Sequence, residues 1–287
     1  MAKRDMTLGS ITRHLLSYTV PMVLGNIMQL TYNAADSVII GKNLGEEALA
    51  AVSVSDPIMT VMVLGASGIG IGASVIMRRF YGAGDREKLR REFTTTVIFG
   101  LFFSLAVFIL GFAFSGQLLR LIKAPAESYD MALTYPRIIF VGFLFTFQYN
   151  ILSSSLRAIG DSRTSVWFLG ISCGITICLD LLFVAALHMG VAGAGLATVI
   201  AEAVSVVLCL WWIKRRIPEL SVTRRELKVD RALLKETVKS GALTALQQAA
   251  QPVGKLLIQR TINIEGVVAV DAFNNACRID DYARIPT

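Results

Sequence analysis

Carboxylates inside long apolar segments are the residues of this sequence best placed to do chemistry. Asp36 lies about five residues from the end of one apolar segment, and Asp180 lies about seven residues from the end of another. At a rise of about 1.5 Å per residue, an α-helix would place them about 7 and 10 Å from those ends. An ionised aspartate at the centre of a bilayer costs roughly 2.5–3.5 kcal/mol on insertion scales, so we expect both residues to be functional.

Two threonines predict an oxygen-lined site around these carboxylates. Thr176 precedes Asp180 by one helical turn on the same face, and Thr198 lies at nearly the same depth in the next apolar segment. Two neighbouring carboxylates in a medium of low dielectric constant cannot both stay ionised without a counter-ion. The set Asp36, Thr176, Asp180 and Thr198 is therefore predicted to bind a proton or a hard cation such as Na⁺. In the alternative interpretation, each aspartate only caps or hydrogen-bonds a neighbouring helix.

Further polar residues in apolar segments predict a path for a substrate. The predicted cavity residues are Tyr32, Asn150, Gln248 and Lys255. An intramembrane lysine is costly unless it faces a cavity, a carboxylate or carbonyl groups, so we expect Lys255 to face a cavity. Glu202 follows Thr198 by one turn as a further acid, and amides such as Asn150 can also simply bridge helices. Pro21 removes one backbone hydrogen bond from the first segment, which predicts a bend there.

Enzyme templates are absent from the sequence. Its two histidines, His14 and His188, lie near segment ends, and no HExxH, GxSxG or P-loop spacing occurs. Gly68 and Gly72 lie inside an apolar segment, where their spacing favours close helix packing over phosphate binding. The four cysteines show no CxxC spacing and are expected to be buried hydrophobic residues. The sequence therefore predicts neither an enzyme nor a cofactor.

The composition is that of a membrane protein. Of the 287 residues, 54% are hydrophobic and 17% are charged, against about 25% charged in an average soluble protein. The mean hydropathy is +0.59, and apolar stretches near the length of about 20 residues that a transmembrane helix needs fill most of the chain. They cover residues 11–40, 52–77, 93–114, 131–156, 165–187, 191–213 and 241–262. The predicted fold class is all-α, a polytopic membrane protein with a six-helix lobe followed by one to two helices of a second lobe.

Basic residues predict the orientation of these helices. If the N-terminus is cytoplasmic, 20 of the 28 Lys and Arg residues fall in cytoplasmic segments and 4 in outside segments, the remainder lying within helices. Cytoplasmic loops of membrane proteins carry such an excess. We therefore expect a multi-pass protein of the cytoplasmic membrane with its N-terminus inside. The net charge of +7 is interpreted as this topology signal and not as a surface for nucleic acid.

An internal repeat indicates the domain organisation. The predicted units are an N-terminal six-helix lobe (1–213), a basic cytoplasmic loop (214–240) and the start of a C-terminal lobe (241–287). A shift of 219 residues superimposes Gln29 on Gln248, Ile39 on Ile258, Glu46 on Glu265 and Ala50 on Ala269, and it places Lys255 at the position equivalent to Asp36. Transporters are commonly built from repeats, and a second lobe as long as the first would need about 200 residues. The sequence is therefore expected to be cut short.

Short motifs follow several of the apolar segments in a characteristic order. They are ADS at residues 35–37, YGAGD at 81–85, LRAIGDSR at 156–163, GVAGAG at 190–195 and QQ at 247–248. In this order, and with Asp180 between them, they resemble the multidrug and toxic compound extrusion (MATE) family over essentially the whole chain. The resemblance implies twelve helices in two six-helix lobes, and alternating access driven by a proton or sodium gradient.

The resemblance also implies site residues and substrates. It implies a cation site at Asp36, Thr176, Asp180 and Thr198, with Tyr32 and Asn150 near the cavity and Pro21 at the bend. Many members carry Asn where this chain has Thr176, which weakens the case for sodium. The expected substrates are organic cations and amphipathic drugs, and the full-length protein is expected to be a monomer in the bilayer, with H⁺ or Na⁺ as coupling ion.

Two alternatives remain at this point. A flippase for lipid-linked precursors shares the superfamily shape, but its cavity should be strongly basic to hold pyrophosphate. The intramembrane basic residues here are few (Arg137, Lys255), whereas Asp36, Asp180 and Glu202 are acidic. A membrane-embedded enzyme is disfavoured by the lack of His, Cys or Ser constellations.

Overall fold

The chain folds into helices throughout the part that the structure describes. This computed structural model describes residues 11–121, 129–221 and 228–262. The α-helices are α1 (Ile11–Leu44), α2 (Glu46–Gly82), α3 (Arg86–Leu121), α4 (Tyr129–Ala158), α5 (Ser162–Asp180), α6 (Gly190–Arg216) and α7 (Arg231–Ile262). A π-helical segment, Leu181–Ala186, continues α5. These residues contain no strand, so the predicted all-α class is confirmed.

Five of the described helices are long and apolar enough to cross a membrane. The candidate spans are Met62–Gly82, Arg86–Gln117, Thr134–Ala158, Ser162–Ala186 and Gly190–Arg216. The protein is therefore a polytopic membrane protein. Within the described residues, α1 and α7 are not among the five, although both are long. The middle of α1 carries several polar side chains, among them those of Asn26, Gln29, Tyr32, Asn33 and Asp36.

The predicted loop at residues 214–240 is shorter than expected, because both of its ends are helical. Helix α6 continues through Arg216, and α7 begins at Arg231 instead of residue 241. The carboxylate of Asp230 caps α7 by accepting hydrogen bonds from the backbone N–H groups of Ala232 (3.0 Å) and Leu233 (3.3 Å). Hydropathy alone missed this start because the first turns of α7 are charged. The lobe boundaries themselves stay a prediction.

The helices pack so that α2 and α4 form the centre of the bundle. Helix α2 packs against α4 and α7, α4 packs against α3 and α6, and α1 packs mainly against α5. The largest buried apolar cluster lies near the end of the bundle that carries Arg79, Arg86 and Arg216, which we call the basic end. It includes Met77, Leu89, Phe93, Leu152, Leu156, Ile213 and Leu220.

The cysteines differ in part from their predicted burial. Cys173 and Cys209 are buried as expected, whereas Cys178 is exposed. Cys277 lies outside the described residues. Exposure of Cys178 on the outer surface of a membrane bundle is compatible with its apolar character, since lipid replaces the protein core as its surroundings.

Helices α2 and α7 touch through glycines. A Cβ atom placed on Gly72 would lie 2.4 Å from the backbone nitrogen of Gly241, and one on Gly68 would lie 2.6 Å from the Cβ of Ala245. Two helices can come this close only where side chains are absent or very small, which is the use of small-xxx-small spacing. The packing role predicted for Gly68 and Gly72 is confirmed.

Polar contacts at the basic end fix the first turns of α7. The fully buried carboxylate of Glu92 accepts hydrogen bonds from the hydroxyls of Thr237 (2.5 Å) and Thr96 (3.1 Å). Arg79 and Glu236 form an ion pair of 3.2 Å on the adjoining surface. The start of α7 is therefore held against the bundle by the buried Glu92 as well as by the glycine contact with α2.

Replacing Thr237 with valine should destabilise this contact. The change keeps the size of the side chain but leaves the buried Glu92 carboxylate with one hydrogen-bond donor fewer, at a cost of about 1–3 kcal/mol. The unfolding temperature in detergent should fall by several degrees. Thr244→Val is the matched control, because the Thr244 hydroxyl donates to the Ser240 carbonyl oxygen of its own helix (3.0 Å). Equal melting curves for the two variants would contradict the role given to Thr237.

Candidate functional site

A cavity of about 770 Å³ lies among α1, α2, α4, α5 and α6. Its volume is within the range of about 300–1,000 Å³ that is usual for small-molecule sites. The apolar part of its lining, which we call the apolar wall, includes Met22, Met59, Met62, Leu64, Ile139 and Phe143. The polar part, which we call the polar wall, comes largely from α1. A site with both kinds of lining suits a molecule that has both an apolar body and a polar or charged group.

One face of α1 supplies the polar wall. Gln29, Tyr32, Asn33 and Asp36 recur at spacings of three and four residues, so they share one side of the helix, and all four line the cavity. The same helix approaches α5 closely, because a Cβ atom on Gly25 would lie 3.3 Å from a methyl group of Val166. The polar residues that lower the hydropathy of α1 are thus those that face the cavity.

The carboxyl groups of Asp36 and Asp180 are neighbours at the wall of the cavity. Asp36 is half-buried and lines the cavity, and Asp180 is fully buried. No residue that the structure describes donates a hydrogen bond to either oxygen of Asp180 or to Oδ1 of Asp36. Two neighbouring carboxyls shielded from water are compatible with a shared proton or with a cation bound between them, but not with two unpaired negative charges.

The two predicted threonines line the same cavity. The hydroxyl of Thr176 donates to the carbonyl oxygen of Ser172 (3.0 Å), and that of Thr198 donates to the carbonyl oxygen of Ala194 (3.3 Å). Each hydroxyl therefore donates its hydrogen bond to its own helix, and the lone pairs of its oxygen remain available to another partner. Carboxyl and hydroxyl oxygens are ligands suited to a small hard cation.

The remaining predicted residues fall into three groups. Tyr32 and Asn150 line the cavity, and Asn150 donates to the carbonyl oxygen of Thr146 (2.9 Å). Gln248 is half-buried on α7, and no described side chain of α7 lines this cavity, so its assignment stays a prediction. Lys255 also belongs to α7, and its side chain lies outside the described part of the structure. Pro21 lies within α1, which continues through it, so the predicted bend remains untested.

The structure contains one acidic contact that the predicted site did not include. The carboxylate of Glu202 lines the cavity and accepts a hydrogen bond from the hydroxyl of Thr146 on α4. The signal for Glu202 was its charge inside an apolar segment. Nothing in the sequence marked Thr146, because a threonine is common in apolar helices and its partner is 56 residues away.

Arg157 was counted among the basic residues that indicate the cytoplasmic side, but its side chain does more than mark the topology. Its side chain lines the cavity and donates to the hydroxyls of Ser153 (2.8 Å) and Ser154 (2.9 Å). The hydroxyls of Ser153 and Ser165 are themselves 2.5 Å apart. The hydrogen bonds to Ser153 and Ser154 of α4 thus orient this cationic side chain toward the cavity, near the basic end of the bundle.

An all-helical membrane bundle with a polar cavity and buried carboxyls at its wall has the architecture of a secondary transporter. The sequence model of the MatE family matches residues 21–182, which is more than half of the chain. The chain belongs to the MatE family, and the resemblance found in its motifs is confirmed. Members of this family are transporters and not enzymes.

Curated relatives carry multidrug names. The chain is 30% identical to the probable multidrug resistance protein YpnP of Bacillus subtilis, over all of this chain and 64% of that protein. It is 24% identical to the multidrug export protein MepA of Staphylococcus haemolyticus, over 96% of this chain and 61% of that protein. The chain therefore spans less than two thirds of the length of these relatives.

Solved structures agree with the fold. A crystal structure of MATE in complex with MaD5 superposes with a TM-score of 0.93 at 25% identity, covering all of this chain and 65% of that one. A MOP superfamily transporter from Pyrococcus furiosus superposes with a TM-score of 0.88 at 26% identity, covering 97% of this chain and 62% of that one. The latter is described as having a binding pocket of reverse polarity that suggests a different function. Pocket charge is therefore the property to compare within this fold.

Proposed function

We propose that this chain serves gradient-driven export of organic cations and amphipathic drugs, in exchange for H⁺ or Na⁺. The observation that carries the proposal is the proximity of the carboxyls of Asp36 and Asp180 at the wall of a drug-sized cavity. Such a pair has two states, because it can hold a proton or a small cation or release it. Thr176 and Thr198 add neutral oxygens at the same site.

The proposed mechanism is alternating access. Binding of a proton or Na⁺ at the pair removes the repulsion between a carboxylate on α1 and one on α5, so α1 can pack differently against α5 and α6. The cavity then changes its access and releases its substrate. One charge moving through 100 mV supplies about 2.3 kcal/mol, which shifts a two-state equilibrium by nearly fifty-fold.

The proposed setting is the cytoplasmic membrane, with the N-terminus and the basic end of the bundle facing the cytoplasm. Arg79, Arg86 and Arg216 lie at that end, and such an excess of positive charge is typical of cytoplasmic loops. The proposed partners are small cationic or amphipathic molecules and the lipid bilayer. We propose a monomer for the full-length protein, with no bound cofactor besides the coupling ion.

A flippase for lipid-linked precursors is the alternative. Binding of pyrophosphate would require several cationic groups in the cavity. The described lining contains one cationic residue, Arg157, and two acidic residues, Asp36 and Glu202. This balance favours a cationic substrate.

Separate collapse of the two gradients tests the proposed function. The full-length protein reconstituted into vesicles should export ethidium when a gradient is imposed, because the carboxyl pair couples ion entry to cavity opening. Export should stop when the coupling gradient, either of protons or of Na⁺, is collapsed, and it should persist when the other one is removed. Export that survives the loss of both gradients would refute antiport.

A further inference from the structure

Glu202 is a second acidic group in the cavity, separate from the carboxyl pair. It lies on α6, four residues and thus about 6 Å along the helix from Thr198. Its carboxylate is fixed by the hydroxyl of Thr146 on α4 and remains partly exposed to the cavity. The side chain is therefore held in one orientation at the junction of two helices and is accessible from the cavity.

The surroundings of the acidic groups differ in a way that separates small from large cations. Asp180 is 0% exposed, so only a proton or a small ion can be held between its carboxyl and that of Asp36. Asp36 and Glu202 both line the cavity, but Asp36 adjoins the buried Asp180, whereas Glu202 is hydrogen-bonded to the neutral Thr146 and can meet a bulky organic cation in the cavity. Tyr32 lines the cavity one turn before Asp36 on the same face of α1.

The surroundings of Glu202 suit a cation with an apolar body. Phe143 precedes Thr146 by one turn of α4 on the same face, and its ring lines the cavity together with Met62. The aromatic ring of Tyr32 adds a face that attracts cations. A cavity that presents a carboxylate together with aromatic and thioether side chains can therefore bind a charged centre while its apolar lining contacts the remaining atoms.

We propose that Glu202, oriented by Thr146, is the residue that makes the cavity prefer organic cations over neutral compounds of the same shape. This inference rests on the proposed function, because it takes the cavity as the substrate site. It assigns coupling and recognition to different acids: the Asp36–Asp180 pair holds the small ion, and Glu202 holds the charge of the substrate. Thr146 is a positioning residue in this assignment.

The test compares two probes that differ in charge. Methyltriphenylphosphonium is a permanent bulky cation, and triphenylphosphine oxide is a neutral compound with the same three phenyl groups. Binding of each is measured by equilibrium dialysis with the purified protein in lipid nanodiscs. In Glu202→Gln, affinity for the cation should fall by about tenfold or more, since an attractive charge inside a partly desolvated site is lost. Affinity for the neutral compound should stay within about twofold.

Three further variants make the test specific. Glu202→Asp keeps the charge and should retain preference for the cation, whereas Thr146→Val should lower that preference by a smaller factor than Glu202→Gln. Glu87→Gln is the matched control, because Glu87 is an exposed glutamate on α3 that pairs with Arg91 (2.5 Å) outside the cavity. It should bind both probes as the unaltered protein does.

The possible failures are distinguishable. If Glu202→Gln binds the cation normally, or loses both probes equally, the role of Glu202 is refuted while the cavity can still be the substrate site. If the unaltered protein binds neither probe, the cavity is not a drug site, and the proposed function is refuted together with this inference.

Discussion

Asp180→Asn should abolish gradient-driven export while leaving the helical bundle folded. An amide has nearly the shape of a carboxyl, but it cannot bind or release a proton and carries no charge for Na⁺. The pair with Asp36 would then lose its loaded and unloaded states, and with them the nearly fifty-fold shift that a gradient of 100 mV provides. The measurement is the rate of ethidium export from vesicles with and without the gradient, beside the melting curve of the purified variant.

The same substitution elsewhere provides the control for this prediction. Asp85 lies on the surface at the start of α3, and its carboxylate accepts the backbone N–H of Lys88 (3.0 Å). This hydrogen bond holds the pKa of Asp85 below its usual range, so the side chain stays ionised. Because it does not alternate between a protonated and an ionised state, Asp85→Asn should export normally. Asp36→Asn should behave as Asp180→Asn does, and Thr198→Ala should only weaken ion affinity. Normal export by Asp180→Asn would exclude Asp180 as an obligatory coupling residue.

Gly72→Leu should separate α7 from α2. The first atom of any side chain at Gly72 would meet the backbone nitrogen of Gly241 at 2.4 Å, and backbone cannot rotate away as a flexible side chain can. Overpacking of this kind costs about 1–3 kcal/mol where neighbours can adjust, and occasionally more. We expect a loss of about 3 kcal/mol or more in stability, together with loss of hydrogen-exchange protection over residues 231–245.

Gly65→Leu is the control for the glycine crossing. It introduces the same side chain into the same helix, but nothing lies within 4 Å of a Cβ atom at Gly65. Its effect should be small, and the amides of α7 should keep their protection. Equal loss of protection in the two variants would show that α2 tolerates leucine poorly in general and that the contact with Gly241 is not the cause.

Much of the site was predictable because depth in a membrane can be counted along a sequence. A charged residue stands out in an apolar segment, and the rise of a helix converts position into depth. Asp36 and Asp180 were therefore expected at similar depth, and the structure brings their carboxyls together. Thr176 followed from helical periodicity, and Thr198 followed from its depth in the next apolar segment. Their roles in coupling stay predictions that the variants above test.

The missed features depend on contacts between distant helices. Glu202 and Thr146 meet across α4 and α6, and no local pattern encodes such a meeting. Arg157 carries the charge expected at the end of a span, so its inward orientation depends on serines that are otherwise unremarkable in sequence. The start of α7 was missed because Asp230 acts through hydrogen bonds to backbone, whereas hydropathy registers only its charge.

The π-helical segment after Asp180 has a consequence for aligning this chain with other sequences. Each of its backbone hydrogen bonds joins residues five apart instead of four apart as in an α-helix. An example is the bond from the N–H group of Leu187 to the carbonyl oxygen of Leu182 (2.8 Å). Such a turn holds one residue more than a turn of α-helix. The family model matches the chain as far as residue 182, inside this segment. We therefore expect a one-residue gap in an alignment of this chain to fall within Leu181–Ala186, between Asp180 and the glycines that open α6.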